Sequence, residues 1–215
     1  MRRPILSAAA LALLAALPAM GQTAQPKSDP RYVAKARADS AQYPYTEADI
    51  QFMQGMIHHH AQAIVMSREA PTHGASPAVQ TLCARIINAQ NDEINLMSTW
   101  LRDRNQDVPQ PTAGPMKMKM NGTEMDMLMP GMLSPEEMKA LDQARGQDWD
   151  ILFLRGMIKH HQGAVQMVKD LLGTYGAAQD VLIAKLAQDV QIDQLTEIER
   201  MQKMLARELG IIEGE

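Results

Sequence analysis

The decisive stretch is "GMIHHHAQAIVM", residues 55–66, because the chain writes it again as "GMIKHHQGAVQM" at residues 156–167. Each copy centres on a His-His pair, His59-His60 in one and His160-His161 in the other. The match runs outward without a gap to "DIQFMQ" at Asp49 and "DILFLR" at Asp150. Beyond it "THGA" (72–75) answers "TYGA" (174–177), and "QNDEINLMSTWL" from Gln90 answers "QLTEIERMQKML" from Gln194. Each half therefore reads as helix, Gly-containing turn, helix. Two such αα-hairpins supply the four helices that close a bundle around one core.

The apolar spacing agrees. Phe52, Met56, His59, Ala63 and Met66 fall on one helical stripe, as do Phe153, Met157, His160, Ala164 and Met167. A second stripe, Met53, Ile57, His60 and Ile64, widens the buried face. The partner helices carry Leu82, Ile86, Ile94, Met97 and Leu101, matched by Leu186, Val190, Ile198, Met201 and Leu205. "SP" at Ser76 and "SPEE" at Ser134 are helix starts, the latter with a capping box. No segment alternates convincingly like a strand. The expected fold is all-α, a ferritin-like four-helix bundle. Its divisions are a signal peptide (1–21), an N-terminal extension (22–45), a first hairpin (46–107), an irregular Met-rich linker (108–133) and a second hairpin (134–210). Residues 46–210 form one bundle domain.

The first residues, "MRRPILSAAALALLAALPAMG", have the charged start, apolar run and small residues of a secretory leader, with cleavage expected after Gly21. Pro18 interrupts the run, which is short for a membrane span. The mature chain is expected to be periplasmic or secreted, with no membrane anchor after cleavage. Loss of Arg2 and Arg3 moves the formal charge from −4 to −6, which gives a nucleic-acid partner no basic face. Cys83 is the single cysteine, so no intramolecular disulfide forms. It aligns with Ala187 and is expected to be a small buried residue. Aromatics make up 4% of the chain, whereas Met contributes 18 residues, an excess that core filling alone does not explain in the linker.

Within the linker Met116, Met118 and Met120 alternate, and so do Met125, Met127 and Met129. Thioethers are soft neutral donors suited to Cu(I) and its analogue Ag(I). An extended M-x-M-x-M run projects alternate side chains to one side and offers three of them to one ion. In the helices, neighbouring positions are turned about 100° apart, so His59 and His60 cannot face one point. Each helix instead sets a His beside a Met at i+3 or i+4, Met56 with His59 and His60, Met157 with His160 and His161. Met66, Met167, Met97 and Met201 complete the candidate metal ligands, and Glu93 and Glu197 occupy matching places as contributors. His58 and His73, replaced by Lys159 and Tyr175 in the second copy, are peripheral.

The doubled pattern F-x-x-G-M-I-x-H-H-x-x-A-x-x-M followed by Q-x-x-E-I-x-x-M resembles the family catalogued as domain of unknown function 305. The resemblance covers about Asp49 to Leu205 and implies an exported helical bundle of the ferritin-like type. Some members, the CopM-type proteins, are linked to copper binding and copper resistance. It places Met56, His59, His60, Met157, His160 and His161 in the family signature without saying which of them touches copper. Met53 becomes Leu154 in the second copy, so a ligand role for Met53 would make the halves unequal.

The expectation is thus a copper-binding protein that sequesters or shuttles Cu(I), with Cu(II) a further candidate at the His sites. A copper exporter or a periplasmic copper oxidase is the candidate partner. One alternative is a metal-free structural or interaction bundle in which Met fills the core. Another is a ferritin-like oxidase, which needs Glu-x-x-His motifs that this chain lacks. With no nucleophile elbow, phosphate loop or zincin helix, an enzyme is not expected.

Overall fold

The structure is a computed structural model. It describes residues 45–120 and 123–212, with the backbone alone at 117–120, 123 and 124. The expected signal peptide, its cleavage point and nearly all of the N-terminal extension lie outside the described residues. The elements are α1 (Glu47–Arg68), α2 (Pro77–Asp103), β1 (Met116–Met120), β2 (Thr123–Met127), α3 (Pro135–Gln143), α4 (Gly146–Gly173) and α5 (Val181–Glu208). The helical bundle expected from the repeat is present: α1 packs along α2, α4 along α5, and the two hairpins meet through α1 and α4. Among the described residues no helix is long and apolar enough to cross a membrane.

Caps fix where the helices begin. Thr46 and Asp49 form a reciprocal capping box on α1, Ser76 with Pro77 starts α2, and Asp180 caps α5. The Ser134 capping box starts α3, a nine-residue helix, rather than the long α4. The chain then turns through Gly146, at φ +58°, a left-handed conformation that glycine adopts without a Cβ clash. The two hairpins are also tied to each other by buried carboxylates. Asp49 at the start of α1 accepts from the backbone N–H of Ala178, 2.7 Å away in the turn between α4 and α5. Asp150, its repeat counterpart on α4, accepts from the N–H of Ser76, 3.0 Å away in the turn between α1 and α2. Duplication has thus produced a pseudo-two-fold bundle in which each hairpin caps the other's turn.

α1 and α4 run past each other in opposite directions. The Met167 methyl lies 3.4 Å from where a Cβ would stand on Gly55, and the Met66 methyl lies at the same distance from the equivalent point on Gly156. His59 and His160 sit between these two contacts. The core divides accordingly. Met56, Met97 and Met167 belong to one buried cluster, while Met157, Met201 and Met66 belong to the other. Each cluster takes one methionine from the facing hairpin, and the first also takes Met116, Met129 and Met132 from the linker.

The linker departs from its expected irregular form. β1 and β2 make a two-stranded antiparallel ribbon in which Met116 pairs with Met127, Lys117 with Asp126, Met118 with Met125 and Lys119 with Glu124. The period of two in Met and Lys is a strand pattern. Asn121-Gly122 stands between the strands in sequence, the dipeptide that two-residue hairpin turns prefer. Beyond β2 the chain, Met129 to Leu133, lies as a strap against the bundle. Gln62 holds it, accepting from the Leu133 N–H at 2.7 Å and donating to the Leu133 carbonyl at 3.0 Å. Against α4 the contact is backbone to backbone, since a Cβ on Gly163 would stand 1.8 Å from the Pro130 oxygen.

That contact makes a substitution prediction. In an exposed helix Gly→Ala is stabilising by about 0.4–1 kcal/mol. At Gly163 the strap leaves no room, so Gly163→Ala should destabilise by about 1–3 kcal/mol, the range for overpacking. Urea unfolding of both proteins measures the sign, and a stabilised Gly163→Ala protein would mean that the strap does not lie on α4.

Candidate metal centre

Adjacent helix positions diverge, and the two histidines of each pair accordingly serve different interfaces. His59 of α1 and His160 of α4 face the other hairpin, fully buried, with ring centroids 3.7 Å apart and planes tilted by 37°. His60 and His161 face their own second helices. His60 Nε2 lies 2.7 Å from Glu93 Oε2 on α2, a close contact without the alignment of a hydrogen bond. His161 Nε2 is hydrogen-bonded to Glu197 Oε2 on α5, also at 2.7 Å. The result is a polar layer through the middle of an apolar bundle, symmetric about the His59–His160 contact.

The layer is incompletely satisfied. His59 Nε2 donates to the Pro130 carbonyl at 3.0 Å, which leaves Nδ1 with a lone pair and no partner among the described residues. Both ring nitrogens of His160, the Nδ1 atoms of His60 and His161, and the buried side-chain amide of Gln90 are unpartnered as well. Buried polar atoms are hydrogen-bonded as a rule, so such a concentration indicates a place where water or an ion completes the set. Burial, with His60 beside it, holds the His59 imidazole well below its ordinary pKa, and burial followed by His59 does the same to His160. Both are neutral bases at pH 7, the form in which imidazole binds metal.

Thioethers flank this layer. Met56, Met66, Met97, Met157, Met167 and Met201 are all buried. Of the linker methionines, Met116 and Met129 are buried, Met127 is half-buried and Met125 is half-exposed. The side chains of Met118 and Met120 lie outside the described residues. The structure thus buries the helix methionines and Met129, seats Met129 and Met167 at Gly55 and Met66 at Gly156, and leaves Met125 at the surface. Among the described residues no three His, Cys, Asp or Glu side chains stand together closely enough to hold a metal.

The other candidates are committed elsewhere. Asp49 and Asp150 are consumed by the turn contacts above. His58 Nδ1 lies 3.3 Å from the Thr112 carbonyl, and His73 is fixed between the carbonyls of Glu69 and Asp142. Cys83 is buried, as its alignment with Ala187 implies, and burial pushes its thiol pKa up to about 12, away from the thiolate that copper would need. Sequence reasoning missed Gln90 and the strap. The clue to the strap was the mismatch of Gln62 with Gly163 inside the repeat, one a clamp and the other a backbone seat.

This pseudo-symmetric bundle with paired histidines on its first helices is a DUF305 fold, and the chain belongs to that family, described as Domain of unknown function (DUF305), whose model matches residues 49–205. It is similar to the crystal structure of a DUF305 protein from Streptomyces coelicolor, at 30% identity and a TM-score of 0.63, over 78% of this chain and 97% of that one. It is also similar to CopM. The Cu(II)-bound form matches with a TM-score of 0.55 and 29% identity over 74% of this chain and 96% of CopM. The Cu(I)-bound form matches with 0.54 and 28% over 75% and 96%. A protein of Acanthamoeba polyphaga mimivirus is 39% identical over 56 residues, 26% of this chain and 37% of the viral protein's length.

Two neutral, buried imidazoles make folding pH-dependent. Their folded pKa values lie below the unfolded value of about 6.5, so the unfolded chain takes up protons first as pH falls. Their contribution to stability is complete above pH 6.5 and declines below it. The slope is at most about 1.4 kcal/mol per pH unit for each ring. Urea midpoints of the metal-free protein at pH 7.5, 6 and 5 should fall steadily across the two lower values, and less so in a His59→Gln, His160→Gln variant. Equal slopes in the two proteins would show that the rings are not buried as neutral bases.

Proposed function

We propose that this protein binds Cu(I), with Ag(I) as its analogue, outside the cytoplasm, and sequesters the ion or hands it on as part of copper tolerance. The observation that carries the reading is the layer of buried, unpartnered imidazole nitrogens at His59 and His160, flanked by buried thioethers. Neutral nitrogen and sulfur donors in a dry site suit a soft monovalent ion and disfavour hard divalent ones. The likeness to CopM, crystallised with Cu(I), Cu(II) and silver, supports the same chemistry. The sequence adds the leader, which supports export, and the alternating methionines of the ribbon, which suit a second class of soft site. Cu(II) fits the imidazoles rather than the thioethers. We read the protein as a binder rather than an enzyme, with a copper exporter or a periplasmic copper oxidase as the partner that would give or receive the ion.

The test is an anaerobic Cu(I) titration of the mature protein against a chromophoric Cu(I) chelator. Two variants separate the classes: His59→Gln with His160→Gln, and Met118→Leu with Met120→Leu and Met125→Leu. Each should lose part of the bound copper and keep the rest. Because thioethers do not protonate near neutral pH, some copper should stay bound at pH 5. No competition by the wild-type protein would leave the metal-free bundle as the correct reading.

A further inference from the structure

The repeat makes the two ends of the α1–α4 contact equivalent, and the strap makes them unequal. At Gly55 the Met167 methyl meets a second side chain, Met129, whose Sδ stands 3.0 Å from the position a Cβ would take. At Gly156 the Met66 methyl meets Leu133, whose Cδ2 stands at 3.1 Å from the corresponding point. The two strap residues are four apart and straddle Pro130-Gly131, the segment pinned to Gly163 and to His59. One delivers a sulfur and the other a branched hydrocarbon into matched positions.

The repeat itself diverges in the same sense. Met53, fully buried at the Gly55 end, is Leu154 at the other, equally buried. Leu and Met are near-isosteric, so packing alone gives no reason for both differences to favour sulfur at one end. Donor chemistry does, since a thioether ligates Cu(I) or Ag(I) and an isobutyl group cannot. Gly55 serves the arrangement directly. With no Cβ it leaves the space in which Met129 and Met167 converge from two different elements, next to Met56 on α1.

From this we propose that the bundle holds one tight soft-metal site, not two, at the Gly55 end, with Met129 of the strap and Met167 of α4 as ligands, and that Leu133 disables the pseudo-equivalent site at Gly156. The placement rests on the copper reading above and specifies it. A site built from the strap and both hairpins also locks the linker to the bundle when filled, because binding energy available only to the docked strap stabilises the docked state.

The experiment is an Ag(I) titration of the mature protein carrying 13C-labelled methionine methyls, followed by NMR, with Cu(I) chelator competition alongside. The first equivalent should move the Met129 and Met167 methyls and leave Met66 unmoved. Met129→Leu, which copies the Gly156 end, should abolish the Met167 shift and weaken the tightest equivalent at least about tenfold, since loss even of supporting contacts to a ligand costs about 10–100-fold. Leu133→Met, the mirror change, should add a second tight equivalent that moves the Met66 methyl. Unchanged tight binding in Met129→Leu, no added equivalent in Leu133→Met, or equal first-equivalent shifts at Met66 and Met167 would each overturn the placement while leaving copper binding intact. A wild-type protein that binds neither ion would remove both readings.

Discussion

The face-to-face contact of His59 and His160 is the constraint around which the rest of the molecule is arranged. Two imidazoles with centroids 3.7 Å apart, fully buried, cannot both carry charge. The fold therefore has to keep them neutral, and it does so by packing α1 against α4 over Gly55 and Gly156, where the missing Cβ atoms let side chains from the opposite helix seat closely. The carboxylates of the layer are displaced one helix further out, Glu93 against His60 and Glu197 against His161. Polarity thus rises from the centre of the bundle toward the α2 and α5 faces, and the two unprotonated rings occupy its driest point.

Symmetry explains why such a layer is stable in an otherwise apolar core. Each hairpin meets the other through the same set of groups, including Asp49 and Asp150, which satisfy backbone N–H groups in the opposite turn. A buried carboxylate that accepts backbone N–H groups in this way is held in place. The strap then breaks the symmetry without disturbing the frame. Its backbone lies on Gly163, its carbonyl at Pro130 accepts from His59, and Gln62 secures its end at Leu133. All of these contacts use positions where the two copies have diverged, or where the backbone itself is the partner.

Much of this was written in the sequence, and the reasons for the remainder are physical. The four long helices, their pairing and the apolar stripes followed from the period of the repeat, because a helix that buries one wide face must show it in spacing, whereas the short α3 at Pro135–Gln143 lies outside the repeat. The division of labour within each His pair followed from the angle between adjacent residues, though the spacing did not say which histidine faces which helix. The ribbon was misread: Met and Lys alternating at Met116–Met120 are a strand pattern, but methionine is an uncommon strand residue and Pro and Gly nearby argued for irregularity. The strap was hidden for a different reason. Its seat is made by the absence of a side chain at Gly163, and the mismatch with Gln62 marks that position without telling which segment fills it.

The layer's charge balance bears on why a soft ion would be tolerated in so dry a place. An ion of charge +1 bound only by neutral thioethers and imidazoles brings its full charge into the core, and burial of a lone charge is costly unless it is compensated nearby. The compensation is already built. Glu93 and Glu197 sit one residue layer from the His59–His160 contact, and Asp193 lies close enough to them that its own carboxyl is pushed up, first by burial and then by their charge. Glu93 and Glu197 are tied to His60 and His161, and among the described residues these carboxylates form no hard-metal cluster of their own. They act as a fixed negative field facing the centre of the bundle, with the soft donors placed between. That order, neutral sulfur and nitrogen inside and carboxylate outside, favours a singly charged soft cation over a divalent one, which would demand the carboxylates as ligands.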